Sequence, residues 1–220
     1  MFNNTLQTNF RHIAWKHLLA VYPHNSTFDE RKMHLERMKT DYDYLKKEAF
    51  RQKLAPSLIS LITRDVIRTD RHVAFFNVEF EHPNLQKLYS ILYVYAANNY
   101  DVEYAQGMSD IAATFVCTMA DESAAYACFN KYMEHNKGKF LMNSEVISTC
   151  FYQLKRLLKK YDPELYSCLE KTGSQTLLFC YRWFLLDLKR EFKLADSLRF
   201  LDTYFACVRQ PEPGESHFNR

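Results

Sequence analysis

The sequence predicts an all-α fold, arranged as a single domain of about nine or ten helices. Its 220 residues are enough to bury one large core, and only 4 glycines and 6 prolines interrupt them. Such a chain lacks the frequent turns of a β-sandwich or barrel. Apolar residues recur at helical spacing between cap and stop signals, without strand alternation or an internal repeat. We expect the domain to cover residues 1–208 and a disordered tail to cover residues 209–220.

The first predicted helix covers residues 6–20. Its apolar face, spaced as one side of a helix, consists of Phe10, Ile13, Ala14, Leu18 and Val21. Arg11 and Trp15 lie four residues apart in the same helix. We therefore expect the guanidinium to stack on the indole in a cation–π contact.

Capping signals place the next three helices. Thr27 and Glu30 have the spacing of a capping box, which opens a long charged helix to about residue 53. Ser57 is the expected cap of a short helix that ends near residue 68. After an irregular segment over residues 69–82, Pro83 is typical of a first helical turn and begins a helix to about residue 98.

The second half of the chain contains further helices, each bracketed by a cap and a stop signal. An apolar stripe after Gly107 precedes them. The helix after Ser144 carries a basic cluster, which fits a solvated face better than a phospholipid site. The members of that cluster are Lys155, Arg156, Lys159 and Lys160. The predicted ranges are 121–136, 144–161, 162–173, 174–192 and 195–208.

Composition and motifs exclude several classes of function. The net charge of +3 gives no basis for binding nucleic acid or an anionic membrane, and no apolar stretch is long enough to insert into a bilayer. The 6 cysteines form no C-x-x-C pair, so we expect reduced, mostly buried thiols in a cytoplasmic protein. Metal-ligand spacing, a glycine-rich phosphate loop and a G-x-S-x-G motif are missing. A conventional hydrolase, kinase or dehydrogenase is not expected, nor is a bound metal or cofactor.

Two short stretches carry the remaining candidate chemistry. In the first, Ile62 shares a helix face with Val66 and can anchor the turn. Asp65 lies three residues before Arg68 and can hold its guanidinium, although an ordinary surface ion pair, worth about 0.2–0.5 kcal/mol, is the alternative. The second stretch, residues 104–108, contains Tyr104, Gln106 and Gly107.

An arginine and a glutamine at helix edges suit one reaction. GTP hydrolysis needs charge neutralised on the transferring phosphoryl group and a water oriented for in-line attack. The planar guanidinium of Arg68 can donate to two phosphate oxygens at once, and the amide of Gln106 can orient the water. The segment over residues 69–82 is long enough to bring the two side chains together. Gly107 is expected to leave room for a partner surface beside Gln106.

These two stretches resemble the finger motifs of the TBC-domain Rab GTPase-activating proteins. The matching residues are Ile62-x-x-Asp65-x-x-Arg68 and Tyr104-x-Gln106. Further blocks follow the order of that family over roughly residues 6–206. These blocks are Arg11-x-x-x-Trp15, Gln106-Gly107-Met108-Ser109-Asp110, Phe179-x-x-Arg182-Trp183-Phe184 and Arg190-Glu191-Phe192.

The resemblance implies a role for each finger and its neighbours. Arg68 would be the arginine finger, and Gln106 the glutamine finger that replaces the GTPase's own glutamine. Asp65 would orient Arg68, and Tyr104 would position the Gln106 loop. The chain would hold no cofactor, because GTP and Mg²⁺ belong to the partner GTPase.

The remaining motif residues are expected to support the site or the fold. Ile62 and Gly107 would support the fingers or the contact with the partner. Four others would be mainly structural: Arg11, Trp15, Arg182 and Trp183.

Two departures from the family pattern concern the C-terminal part. The family's late Trp-Asp motif occurs here as Phe200-Leu201-Asp202, without the tryptophan. The family's domain also continues through further helices, so we expect the C-terminal lobe to be incomplete, through truncation, a short isoform or divergence. Missing helices would leave apolar surface on the last helices uncovered.

Three hypotheses follow from these patterns. The leading one is an activator of a Rab-type GTPase, without an active site of its own, that is monomeric and cytoplasmic and reaches endomembranes through partners. The alternative is a non-catalytic module that binds a GTPase or an adaptor. The third is a truncated product that folds poorly. The sequence does not specify which Rab is the partner.

Overall fold

The computed structural model describes residues 6–99 and 101–208, and the regular structure in that part of the chain is helical throughout. Its ten α-helices confirm the predicted all-α class. They are α1 (Arg11–Leu18), α2 (Phe28–Gln52), α3 (Pro56–Arg68), α4 (Pro83–Asn98), α5 (Met108–Thr118), α6 (Glu122–Asn136), α7 (Glu145–Tyr161), α8 (Pro163–Lys171), α9 (Tyr181–Leu185) and α10 (Leu194–Val208). Within the described residues, no helix combines the length and the apolar character that crossing a bilayer requires. The predicted tail, residues 209–220, lies outside the described part.

Several helices start where their cap signals place them. The Thr27 side chain accepts a hydrogen bond from the Glu30 N–H, and the Glu30 carboxylate accepts one from the Thr27 N–H, which completes the capping box of α2. The side chains of Ser144 and Asp162 accept backbone N–H groups in the first turns of α7 and α8. Such a cap is typically worth about 0.5–2 kcal/mol. These starts could therefore be predicted locally.

Two predicted starts are wrong. The cap predicted at Ser57 is displaced, because Pro56 is already the first residue of α3 and Ala55 precedes it as N-cap. The first helix does not cover residues 6–20, since a short 3-10 turn comes first and α1 begins only at Arg11.

The buried face of α1 also differs from the predicted one. Phe10 and Ile13 are 52 % and 40 % exposed, whereas Arg11 and Trp15 are buried. Both buried side chains donate hydrogen bonds to the carboxylate of Asp202 in α10. The predicted cation–π contact between the two is therefore wrong. The distant carboxylate, invisible to helical periodicity, sets which face of α1 turns inward.

The core is built around α4 and α5. Helices α2 and α6 pack against α4, α6 packs against α5, and α3 contacts both central helices. Helix α10 returns to α1, and an aromatic cluster joins these ends of the chain to the core. In it, Trp15 meets Phe115 and Phe205 edge to face, with ring centroids 5.6 and 5.0 Å apart. Helix α7 packs against α8 and α9.

The long helix predicted over residues 174–192 is wrong. The segment contains two 3-10 turns around the short α9, and Leu177, Asp187 and Leu188 adopt positive φ angles. The buried Asp187 carboxylate accepts hydrogen bonds from Tyr132 and Lys139 at 2.5 and 2.6 Å. A continuous helix lacks the bends at these residues, so tertiary contacts have overridden the local apolar pattern.

Two surface features bear on the other expectations. Apolar side chains are exposed on α7 and in the segment that follows α8, and they include Leu157, Tyr161, Leu178, Phe179 and Phe192. All six cysteines are unpaired, as predicted. They are not mostly buried, however, because Cys168 and Cys207 are exposed and only Cys128 and Cys180 are fully enclosed.

Candidate functional site

Arg68 is the last residue of α3, and two buried side chains fix the helix that carries it. Ile62 and Val66 are both 0 % exposed and lie four residues apart, where α3 packs against α4 and α5. The Arg68 side chain, at the end of the helix, is 53 % exposed. Ile62 has no exposed surface, so it supports the helix from inside and does not reach a partner.

Asp65 joins the two predicted finger stretches. Its Oδ1 accepts a hydrogen bond from Arg68 Nη2 at 2.6 Å, and its Oδ2 accepts one from the Tyr104 hydroxyl at 3.0 Å. The Asp65 side chain is 1 % exposed, and hydrogen bonds are stronger in such a low-dielectric environment. Burial first, and then the Asp65 carboxylate, raise the pKa of Tyr104 well above its ordinary value. The tyrosine therefore stays protonated and remains the donor.

A second buried contact ties the same two stretches together. The Thr69 hydroxyl donates to the backbone carbonyl of Asp65 at 2.6 Å and forms a hydrogen bond with the Ser109 hydroxyl at 2.9 Å. Thr69 directly follows Arg68, and Ser109 lies in the first turn of α5. The end of α3 and the start of α5 are thus joined both through Asp65 and through Thr69.

Gln106 lies in the turn before α5, and its side chain is exposed. The next residue, Gly107, is the N-cap of α5 with φ +104°, a backbone conformation that favours glycine. It is buried, and a Cβ atom there would come within 2.9 Å of Leu186 Cδ2. Leu186 of the same chain thus occupies the space that a side chain at residue 107 would need, whereas Gly107 and Gln106 also line an open pocket, so the room for a partner beside Gln106 stays a prediction. Glycine is required here by the turn that presents Gln106.

Arg68 and Gln106 line the same open cleft, which has a volume of about 470 Å³. Five arginine or lysine side chains line it, against two aspartates. The cations are Arg68, Arg71, Arg182, Lys189 and Arg190. This surplus of positive charge suits an anionic group such as a phosphate. Among the described residues, no three His, Cys, Asp or Glu side chains are grouped as metal ligands.

Arg182 and Trp183 were expected to be mainly structural, but their side chains have different surroundings in the structure. Trp183 packs edge to face on Phe179, with ring centroids 5.8 Å apart. Arg182 forms an ion pair with Glu191 at 2.7 Å, yet 54 % of its side chain is exposed and it lines the cleft. Arg182 is thus also placed where it can contact a molecule bound in the cleft.

Arg11 and Trp15 do not line the cleft. Arg11 donates to both oxygens of Asp202, at 2.9 and 2.8 Å, and Trp15 Nε1 donates to one of them at 2.7 Å. These bonds join α1 to α10 across almost the whole sequence. Asp202 is the aspartate of the Phe200-Leu201-Asp202 stretch, so this contact persists without the family's tryptophan.

Two ion pairs at the cleft involve residues that were given no role from the sequence. Lys189 contacts Asp70 at 2.5 Å, and Arg190 donates to both oxygens of Asp110, at 2.9 and 2.8 Å. Asp110 and Arg190 fall inside two of the family-like blocks, which was the available signal. The pairing itself joins residues 80 positions apart, and spacing along one helix cannot reveal it.

Comparison with known proteins supports the sequence resemblance. The family model of the Rab-GTPase-TBC domain matches residues 8–214. TBC1 domain family member 25 of Homo sapiens is 35 % identical over 219 residues, which cover 98 % of this chain and 32 % of that protein. GTPase-activating protein GYP7 of Yarrowia lipolytica is 31 % identical over 227 residues, covering 90 % of this chain and 31 % of that protein. The chain thus spans about a third of the length of these relatives.

A solved structure has the same fold. The crystal structure of the Ypt/Rab-GAP domain of Gyp1p superposes with a TM-score of 0.81 at 22 % sequence identity. The match covers 93 % of this chain and 71 % of that one. At this level of identity, the comparison establishes the shared all-helical architecture.

Proposed function

This chain belongs to the Rab-GTPase-TBC domain family, and on that premise we propose that it stimulates GTP hydrolysis by a Rab-type small GTPase. Arg68 and Gln106 are the two groups proposed to act, both supplied in trans to the active site of the partner. GYP7 is a GTPase-activating protein, and the Gyp1p structure is that of a Ypt/Rab-GAP domain.

The proposal rests on how the Arg68 side chain is held and how far it is exposed. One guanidinium nitrogen is held by a buried carboxylate, while the side chain is 53 % exposed in a cationic cleft that Gln106 also lines. Among the described residues, Asp65 is the only hydrogen-bond acceptor of this side chain. The guanidinium is thus oriented by one nitrogen, and its other N–H groups are available to a further acceptor in the cleft that Arg68 lines.

Arg68 supplies the charge that the reaction needs. Negative charge on the oxygens of the transferring phosphoryl group is stabilised by a guanidinium, which donates two parallel hydrogen bonds where a lysine offers a single point charge. In GTPase–activator pairs, a trans arginine accelerates hydrolysis by about 10³–10⁵-fold, equivalent to roughly 4–7 kcal/mol of transition-state stabilisation.

Gln106 supplies the polar group that orients water. A side-chain amide has one acceptor oxygen and two N–H donors, so it can accept from the attacking water and donate to a phosphoryl oxygen together. The turn at Gly107 and the hydrogen bond from Tyr104 to Asp65 hold this stretch against α3. Gln106 would thus take over the task of the glutamine that the GTPase itself carries.

The proposal leaves nucleotide binding to the partner. GTP and Mg²⁺ are held by the GTPase, and this chain contributes the cationic cleft and the two fingers. On this proposal the protein acts as a monomer in the cytoplasm and reaches the cytosolic face of endomembranes through its partners.

Single-turnover GTP hydrolysis by a panel of GTP-loaded Rabs tests the proposal. At least one Rab is expected to respond to the wild-type chain. With that Rab, Arg68→Ala is expected to abolish about 10³-fold or more of the stimulation, and Gln106→Ala most of it. The matched control is Arg51→Ala. Arg51 forms an ion pair with Glu48 of the same spacing and the same 2.6 Å distance, but on the exposed face of α2.

The outcomes separate the two main hypotheses. Full stimulation by both finger variants would contradict the proposed mechanism. A wild-type chain that binds a Rab without accelerating hydrolysis, with binding unchanged by Arg68→Ala, would instead support the non-catalytic binding module. The Arg51→Ala control should retain the wild-type rate, because its ion pair is not part of the cleft.

A further inference from the structure

A short segment of the C-terminal half, residues 186–190, contacts the chain just after the arginine finger. We call it the clamp. Its Lys189 Nζ lies 2.5 Å from Asp70 Oδ2 and 3.8 Å from Asp110 Oδ1, and only 2 % of the Lys189 side chain is exposed. Asp70 is two residues beyond Arg68 and has a positive φ of 49°. The buried ammonium thus holds the first turn after the finger in a backbone conformation that is unusual for a residue other than glycine.

The same clamp contacts the chain just after the glutamine finger. Arg190 donates through Nε and Nη2 to the two oxygens of Asp110, in the first turn of α5. Bidentate pairs of this kind fix orientation as well as distance. Four residues earlier in the clamp, Leu186 packs on Gly107, where it leaves no room for a Cβ atom. The start of α5, directly after Gln106, is therefore in contact with the clamp at two positions.

The clamp is itself anchored to the core. The Asp187 carboxylate accepts hydrogen bonds from Tyr132 of α6, at 2.5 Å, and from Lys139, at 2.6 Å. The Ser197 hydroxyl of α10 donates to the Lys189 carbonyl at 2.9 Å. These buried bonds explain why residues 186–190 leave the helical path, and they make the segment a rigid reference for both fingers.

We propose that the clamp fixes the separation and orientation of Arg68 and Gln106, with Lys189 and Arg190 as positioning residues. Its effect on GTP hydrolysis rests on the proposed function, whereas the mechanical coupling of the two finger turns does not. A transition state contacted by two groups at once demands that their spacing be set before the partner binds. Asp65 and Thr69 already join the two finger stretches, and the clamp adds a further connection from the C-terminal half.

The burial of Lys189 distinguishes positioning from direct contact. Lys189 borders the cleft, but only 2 % of its side chain is exposed and its Nζ lies 2.5 Å from Asp70 Oδ2, so its removal is expected to act on GTP hydrolysis through the finger turns. Arg190 is 39 % exposed and can do both. The test therefore uses the two residues separately.

The experiment compares three variants of the full chain. Lys189→Met combined with Asp70→Asn removes the first tie without leaving an unpaired buried carboxylate, and asparagine tolerates the positive φ at this position. Arg190→Met removes the second tie. The matched control is Arg11→Met, which breaks the other bidentate pair, whose distances are also 2.9 and 2.8 Å. Two readouts are taken: amide hydrogen exchange of the free protein, and single-turnover GTP hydrolysis at saturating and half-saturating activator.

Both readouts have defined expectations. Amide exchange around residues 68–71 and 106–109 should rise about tenfold in the two clamp variants and stay within about twofold in the control. The saturating hydrolysis rate should fall about tenfold in the clamp variants, while the half-saturating concentration changes by less than about threefold. The control should lower the melting temperature without changing the saturating rate.

Three results would overturn the inference or part of the account. Unchanged exchange at both finger turns would show that the clamp does not hold them. Raised exchange with an unchanged saturating rate would show that this restraint does not position the fingers for the reaction. If the wild-type chain stimulates no Rab, the proposed function fails, and the exchange data alone still decide whether the clamp couples the two turns.

Discussion

Two aspartates in this protein, whose side chains are only 10 % and 1 % exposed, have similar partners and differ in one respect. Asp202 accepts hydrogen bonds from an arginine, Arg11, and from an aromatic donor, Trp15. Asp65 also accepts from an arginine, Arg68, and from an aromatic donor, the Tyr104 hydroxyl. Each aspartate joins parts of the chain that are distant in sequence. The difference lies in how the arginine is used.

At Asp202 the arginine is enclosed and fully engaged with the carboxylate. Arg11 is 5 % exposed and donates through two nitrogens. Arg68 is 53 % exposed and donates through one. A guanidinium that is oriented but half exposed can serve a second acceptor, whereas one that is buried and donates to both oxygens of a carboxylate holds the fold. Arg11 is therefore placed to hold the fold, and Arg68 is placed to contact a further acceptor.

The largest stability effect is expected at the structural aspartate. Arg11→Met leaves Asp202, which is 10 % exposed, with Trp15 as its remaining donor, and removing one partner of a buried pair costs about 3–5 kcal/mol. For a chain of this size, that corresponds to a fall in melting temperature of roughly 10 °C. The rate of stimulated GTP hydrolysis should be unchanged at temperatures where the variant is folded. A calorimetric melting curve and a single-turnover assay measure the two quantities.

A reduced hydrolysis rate in folded Arg11→Met would break the distinction between the two aspartates. Arg51→Met is a suitable reference for the melting curve. It removes an ion pair whose arginine is 73 % exposed, and such a pair contributes about 0–1 kcal/mol.

A smaller effect, on both stability and rate, is expected at the second aspartate. Tyr104→Phe removes the hydroxyl that donates to Asp65 Oδ2, and an under-satisfied buried acceptor costs about 1–3 kcal/mol. Because Asp65 orients Arg68 and Tyr104 lies two residues before Gln106, stimulated hydrolysis should fall several-fold as well. Urea unfolding and single-turnover hydrolysis test these expectations.

Tyr126→Phe is the matched control for that substitution. Tyr126 is 8 % exposed, close to the 7 % of Tyr104, but its hydroxyl has no hydrogen-bond partner among the described residues. It should lose neither rate nor more than about 0.5 kcal/mol of stability. Equal losses in both variants would mean that packing of the ring, and not the bond to Asp65, is what matters at Tyr104.

The contacts that could be predicted from the sequence are mostly short-range. Examples are the capping box of Thr27 and Glu30 and the pairing of Asp65 with Arg68, which each join residues within one helical turn. The helix start at Pro83 is also a local signal. Spacing along a helix specifies such contacts directly. The all-α class followed from the same local signals.

The features that could not be predicted are set by distant partners. Arg11 and Trp15 face inward because both donate hydrogen bonds to Asp202, whereas the apolar periodicity of the first helix predicts a different buried face. The predicted long helix is interrupted at Asp187, whose carboxylate accepts hydrogen bonds from Tyr132 and Lys139. A single sequence does not show which charged and polar side chains will contact each other across such separations.

The candidate site shows the same division. The residues within each finger stretch were identified from spacing and resemblance, and the structure places Arg68 and Gln106 on one cleft. The packing of Leu186 on Gly107 was missed, because Leu186 lies 79 positions away in the sequence. The clamp contacts of Lys189 and Arg190 were missed for the same reason.

The most direct test of the central claim uses a Rab whose own catalytic glutamine is replaced by alanine. If Gln106 orients the attacking water in trans, the wild-type chain should still stimulate hydrolysis by this variant. The Gln106→Ala chain should not, although it should still bind. Loss of stimulation with the wild-type chain, at undiminished binding, would show that the GTPase's glutamine does this work and would contradict the account.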